Sequence, residues 1–130
     1  MQILLVDNDA RMVEIMQLCL QHHGYRVVAA RDGREAMASV QEHDDIDLII
    51  LELLLPVMDG MRFLRWLRGE RASKLPVLAL TAADQPGVRD RLETLAVSEV
   101  ALKPVRLAAL LAHVRRLVAQ PAPEPAASTA

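Results

Sequence analysis

The stretch Leu48-Ile49-Ile50-Leu51-Glu52-Leu53-Leu54-Leu55 restricts the fold more than any other part of the chain. Its apolar residues do not alternate with polar ones, so a strand built from it must be covered on both faces, the condition of a central strand in a parallel sheet. The one acid in the run, Glu52, would lie at the strand's end. A charge there is costly unless it is paired or put to chemical use, so this carboxylate needs a partner.

The rest of the chain supplies the other layers. Gln2 to Val6 reads as a strand and is followed by Met12, Ile15, Met16 and Cys19 at helical spacing, with Gly24 as the stop. Tyr25 to Ala30 predicts a second strand, Arg34 to Glu42 a helix, and Asp47 to Leu51 the central strand. Phe63, Leu64 and Leu67 mark a third helix ending near Gly69. Pro76 to Leu80 and Val97 to Leu102 predict two more strands, with a helix from Val88 to Leu95 between them whose start Pro86 and Gly87 disturb. Leu107, Leu110, Leu111, Val114, Leu117 and Val118 form one apolar stripe on a final helix. Strands and helices in this alternation imply a doubly wound parallel α/β sheet with right-handed crossovers.

One domain is expected over residues 1–119. Residues 120–130 are rich in proline and alanine and cannot bury a core, so a linker or disordered tail is expected there. The chain has 130 residues, 52% of them apolar, and a formal net charge of −2, which gives no general attraction to nucleic acid or to an anionic membrane. The single cysteine, Cys19, rules out an internal disulfide. No apolar run approaches the roughly 18 residues of a membrane span, and Met1 leads straight into a strand, so a cytoplasmic protein without a signal peptide is expected.

Ligands of open parallel sheets bind at the carboxyl ends of the strands. Asp7 and Asn8, Glu52, Thr81 and Lys103 stand at such ends here. Lys103 is conspicuous because the chain has thirteen arginines and only two lysines. A lysine at a strand end suggests a need for a compact point charge rather than a guanidinium fork.

Five motifs, Leu4-Leu5-Val6-Asp7, Asp32-Gly33-Arg34-Glu35-Ala36, Leu55-Pro56-Val57-Met58-Asp59-Gly60, Leu80-Thr81-Ala82 and Lys103-Pro104, follow in an order and at spacings that resemble the receiver domain of bacterial two-component response regulators. The resemblance covers about residues 1 to 119. It implies a flavodoxin-like (βα)5 fold with strand order 2-1-3-4-5 and a role in phosphorelay signalling. In such domains an aspartate accepts a phosphoryl group from a histidine kinase, an acidic pair holds magnesium, and a threonine and a lysine contact the phosphoryl oxygens.

Several positions depart from that pattern. Glu52 replaces the phosphoacceptor aspartate, Asn8 stands where the second metal-binding acid is expected, and Val100 takes the place of the switch tyrosine or phenylalanine. Thr81, Ala82 and Lys103 are retained. Asp7 and Glu52 against Lys103 leave less negative charge to hold a cation than three carboxylates would, and an amide oxygen is a poorer magnesium ligand than a carboxylate. Any metal would be held weakly, by Asp7, Glu52 and the Leu54 carbonyl, and no other cofactor is expected. Phosphoryl transfer depends on positioning and on charge neutralisation, and both are weakened. Glu52 is instead expected to reach toward Lys103 and Thr81, partly imitating a phosphorylated site.

The leading reading is therefore an atypical receiver that acts as a protein-interaction module rather than an enzyme, controlling an output domain or a partner. The alternative is a working phosphoacceptor served by a histidine kinase, using Glu52 or a neighbour such as Asp59. A flavodoxin-like cofactor binder is disfavoured, because the loop Asp7-Asn8-Asp9-Ala10-Arg11 lacks phosphate-cradling glycines. The last segment resembles regulators with a C-terminal winged-helix domain, whose dimer face carries charged pairs; Arg89, Arg91, Glu93, Glu99, Arg106 and Arg115 are candidates for a homodimer. The chain contains no DNA-reading element. Asp9 is read as a helix cap, and His22-His23 and the group His43, Asp44, Asp45 and Asp47 as solvated rather than metal-binding.

Overall fold

The computed structural model describes residues 1–55, 58–82 and 88–119. Strands β1 (Gln2–Val6), β2 (Arg26–Ala30), β3 (Ile46–Glu52), β4 (Val77–Thr81) and β5 (Glu99–Leu102) alternate with helices α1 (Ala10–His22), α2 (Gly33–Glu42), α3 (Gly60–Arg68), α4 (Val88–Thr94) and α5 (Leu107–Ala119). All strands are parallel, in the order β2-β1-β3-β4-β5. Pro86 and Gly87, before α4, and the tail 120–130 lie outside the described residues. Among the described residues no helix is long and apolar enough to cross a membrane.

The pleat divides the central strands between two cores. Leu4, Val6, Ile49, Leu51, Val77 and Ala79 pack with Ala36, Val40, Phe63, Leu64, Leu67 and Leu92 from α2, α3 and α4. Their neighbours Ile3, Leu5, Leu48, Ile50, Leu78 and Leu80 pack against Met16 and Leu20 of α1 and Leu110, Val114 and Leu117 of α5. This two-sided burial is why β1, β3 and β4 read as uninterrupted apolar runs.

Aspartates begin three of the helices. Asp9 accepts from the Arg11 and Met12 amides, Asp32 from those of Arg34 and Glu35, and Asp59 from that of Arg62, each satisfying amides left without partners in a first turn. Gly60 opens α3 where no larger residue fits: a Cβ there would lie 2.7 Å from the Glu52 carbonyl oxygen and from the Leu53 Cα. This close approach seats α3 directly over the end of β3.

Four strands differ from the sequence-based expectation, by one residue at an end in β2 (from Arg26, not Tyr25), at both ends in β3 (Ile46–Glu52) and β4 (Val77–Thr81), and by two at the start of β5. The strand expected from Val97 begins at Glu99, because Ala96 takes a left-handed conformation (φ 55°) and the Val97 amide still bonds back to the Leu92 carbonyl; the Ser98 amide makes the first bond to β4, donating to the Val77 carbonyl at 2.9 Å. In β3, Asp47 is the extra residue at a register shift against Gln2 and Ile3, and its carboxylate accepts the Gln2 amide at 2.9 Å.

Arg68, at the end of α3, holds the far corner of the domain. Its guanidinium donates to the carbonyls of Leu95 (2.8 Å), Ser73 (3.0 Å) and Ala96 (3.1 Å), and no carboxylate pairs with it among the described residues. Burial lowers its pKa. Hydrogen bonds to charged groups contribute about 1.5–3 kcal/mol net when buried, and less where the group is partly exposed, as here. Arg68→Ala is therefore expected to cost about 2 kcal/mol in urea unfolding. Arg68→Lys should recover only a small part, since an ammonium cannot reproduce the fork.

Candidate functional site

Three charged side chains from distant parts of the chain meet where β1, β3 and β5 end. Asp7 follows β1 and is 1% exposed; Glu52 is the last residue of β3 and is 4% exposed. Lys103 follows β5, and its amide donates to the Thr81 carbonyl at 2.8 Å. Its ammonium donates to Asp7 Oδ2 at 3.1 Å and also pairs with Glu52 Oε1. The two remaining carboxylate oxygens are also engaged: Asp7 Oδ1 accepts the Asp9 amide and Glu52 Oε2 accepts the Leu54 amide, both at 3.0 Å.

This arrangement explains how two acids tolerate burial. Desolvation alone would lower the Lys103 pKa, but the hydrogen bonds and charges of Glu52 and Asp7 outweigh it, and the net shift is upward. The ammonium therefore stays charged at any physiological pH. The formal balance, two carboxylates against one lysine, is a single negative charge.

The structure brings Asp7, Glu52 and Lys103 into direct contact. Thr81 is buried at the end of β4, one residue beyond Leu80, the register partner of Glu52. Ala82 and Asn8 are exposed beside the cluster. Val100 is partly buried and already packed against the core on the α2, α3 and α4 side of the sheet. Leu54, named for its carbonyl, takes part through its amide. Asp59, weighed as a substitute acceptor, is exposed and its carboxylate caps α3.

The histidines and the acidic loop are accounted for locally. His23 Nδ1 contacts the Cys19 carbonyl, His43 Nδ1 contacts that of Ser39, and Asp45 pairs with Arg26. Among the described residues no group of three or more histidine, cysteine, aspartate or glutamate side chains is placed to hold a metal.

On the β5–α5 face the structure revises one expectation. Glu99, expected to supply a pair to a second copy, is engaged within its own chain: Arg116 donates to it in a fork, Nε to Oε2 at 2.9 Å and Nη2 to Oε1 at 2.7 Å, and His113 contacts the same Oε1. Arg91, Glu93, Arg106 and Arg115 are exposed, and the Arg89 side chain lies outside the described residues. Sequence reading passed over His113 and Arg116 as partners of Glu99 because the contact joins a strand to the following helix. A signal existed in their i, i+3 spacing on one face of α5.

The Arg116 fork, against the opposing effect of desolvation and with help from His113, lowers the Glu99 carboxyl from 4.5 to about 2. A carboxyl depressed by folding stabilises the native state above its unfolded pKa and loses that contribution as pH falls through the folded value. Acid unfolding curves of the unaltered protein and of Glu99→Gln should therefore converge between about pH 4.5 and 2.

The fold agrees with what the chain resembles among known proteins. The family model described as response regulator receiver domain matches residues 3–115. The response regulator MprA of Mycobacterium tuberculosis is 35% identical over 128 residues, 98% of this chain and 55% of that protein. MprA of Mycolicibacterium vanbaalenii is 34% identical over 95% of this chain and 52% of its own length. The chain thus spans about half the length of these relatives. Among solved structures, chemotaxis protein CheY4 of Vibrio cholerae superposes with a TM-score of 0.82 at 31% identity, covering 89% of this chain and 97% of that one. The non-phosphorylated HemR receiver domain of Leptospira biflexa gives a TM-score of 0.85 at 29% identity, covering 95% and 98%. Matched over most of its length and sharing the 2-1-3-4-5 sheet, the chain belongs to the response regulator receiver domains of two-component signalling.

Proposed function

We propose that this receiver is a protein-interaction module whose state is set without phosphorylation, and that it controls an output domain or a partner protein. The observation that carries the reading is the contact of the Glu52 carboxylate with the Lys103 ammonium, which engages the cation a phosphoryl group would need. Glu52 brings one negative charge where a phosphoryl group brings about −2 and three acceptor oxygens, so the imitation is partial.

The donor set does not suit magnesium. Each oxygen of Asp7 and Glu52 already accepts from Lys103 or from a backbone amide, and Asn8 offers a neutral oxygen in place of a carboxylate. A divalent ion would have to displace Lys103 from at least one acid, with less charge to hold it than three carboxylates supply.

The longer relatives are response regulators, which supports a fused or separate output partner and a histidine kinase as upstream contact. The exposed charges from Arg91 to Arg115, with Arg89, would serve a homodimer; nothing in the chain favours direct contact with nucleic acid or membrane. Acetyl phosphate with magnesium, read by intact mass, tests the proposal. The unaltered protein should remain unmodified, and stoichiometric phosphorylation would establish the alternative of a working acceptor.

A further inference from the structure

A groove of about 370 Å3 runs between α2 and α3, on the face of the sheet opposite α1 and α5. Met37, Met58 and Trp66 form its partly buried apolar floor, and Arg62, Arg65 and Glu70 its exposed rim. Two thioethers beside an indole make an adaptable surface, and methionine, tryptophan and arginine are the side chains that interfaces concentrate.

The rim indicates what would be held there. Helix α3 carries Arg62, Arg65 and Arg68 and no acid. Arg68 is committed to three backbone carbonyls, whereas the Arg62 and Arg65 side chains have no hydrogen bond or ion pair among the described residues. Two uncommitted guanidinium groups against the single carboxylate of Glu70 leave the groove cationic although the whole chain is slightly acidic. We infer that the groove docks an acidic amphipathic helix of a partner protein, its bulky apolar side chains on Met37, Met58 and Trp66 and its carboxylates on Arg62 and Arg65.

The location gives such docking a consequence. The Met58 carbonyl accepts the Gly33 amide at 3.0 Å, and the Gly60 amide donates to the Leu53 carbonyl at 2.9 Å. A partner seated on Met58 therefore bears on the connection that follows Glu52 and Leu54. This supplies a partner for the interaction module proposed above, but the binding stands or falls independently of whether Glu52 accepts a phosphoryl group.

Trp66 is the chain's one tryptophan, so its fluorescence reports occupancy directly. The probe is an acetylated, amidated helical peptide of leucine, glutamate and alanine, with leucines at i, i+3, i+4 and i+7 and no aromatic residue. Saturable change in Trp66 emission is expected, weakened at least about tenfold in the Arg62→Ala, Arg65→Ala double variant and reduced by added salt. Met37→Glu, which puts an acid in the floor, should abolish it, and a peptide with lysine for glutamate should give no response. Thermal melts of each variant separate lost binding from lost folding. The inference is overturned if emission does not change up to millimolar peptide, or if the folded double variant binds as tightly as the parent. It is also overturned if a single-stranded oligonucleotide of equal charge gives the same response with the same arginine dependence, which would mark a general anion surface.

Discussion

Replacing Lys103 with methionine is expected to destabilise the domain by about 3–5 kcal/mol, because it leaves two buried carboxylates without their cation. Asp7 and Glu52 are 1% and 4% exposed, and the ammonium is their shared partner. The lost attraction accounts for only part of the effect; the rest is the desolvation of charges that no longer have a counterion. Acidification distinguishes this cause from a packing defect. Each proton taken up removes one of the two uncompensated charges, so the variant's deficit in urea unfolding should shrink as pH falls, whereas a cavity defect would be indifferent to pH. In the unaltered protein the sign runs the other way. A lysine pKa raised by folding contributes stability that is complete below its unfolded value near 10.5 and is lost as pH rises through the higher folded value. Lys103→Met should lack that alkaline loss.

How much of this site could be read beforehand follows from the kind of partner each group uses. The pairing of Glu52 with Lys103 was legible, because an acid in an apolar run demands a cation and the chain places one of its two lysines at another strand end. The sheet was legible for a related reason: the apolar runs are too short for buried helices and are bounded by turn residues, so length rather than periodicity marks them as strands covered on both faces. Contacts to the backbone left no such mark. The Leu54 amide that holds Glu52 and the three carbonyls that hold Arg68 could belong to any residue type, so only folded geometry reveals them. The start of β5 was misplaced because an alanine, which rarely adopts a left-handed conformation, does so at Ala96. Glu99 misled in another way. It was recognised as a charged-face residue, but charge alone does not say whether the partner lies in the same chain.

The double variant Glu52→Asp with Asn8→Asp is expected to be modified to near completion by acetyl phosphate and magnesium, where the unaltered protein is expected to stay unmodified. Shortening residue 52 by one methylene draws its carboxylate back from Lys103, freeing the ammonium for a phosphoryl oxygen, and an acid at position 8 adds an anionic oxygen ligand beside Asp7. Neither change should suffice alone: Glu52→Asp leaves the metal weakly held, and Asn8→Asp leaves the lysine engaged. Intact mass after incubation is the measurement, and an unmodified double variant would show that the defect lies elsewhere in the pocket. Amide NMR spectra then separate chemistry from switching. Val100 is already packed against the core and, with one stiff side-chain torsion, has no ring to swing between solvent and interior. If the movement of an aromatic residue here is indispensable, the phosphorylated double variant will show shifts around Glu52 and Lys103 but little change across α4, β5 and α5. Large shifts through residues 88 to 115 would instead mean that the site, not Val100, had silenced the domain. Residues 8 and 52 would then decide together whether the output face exists in one population or two.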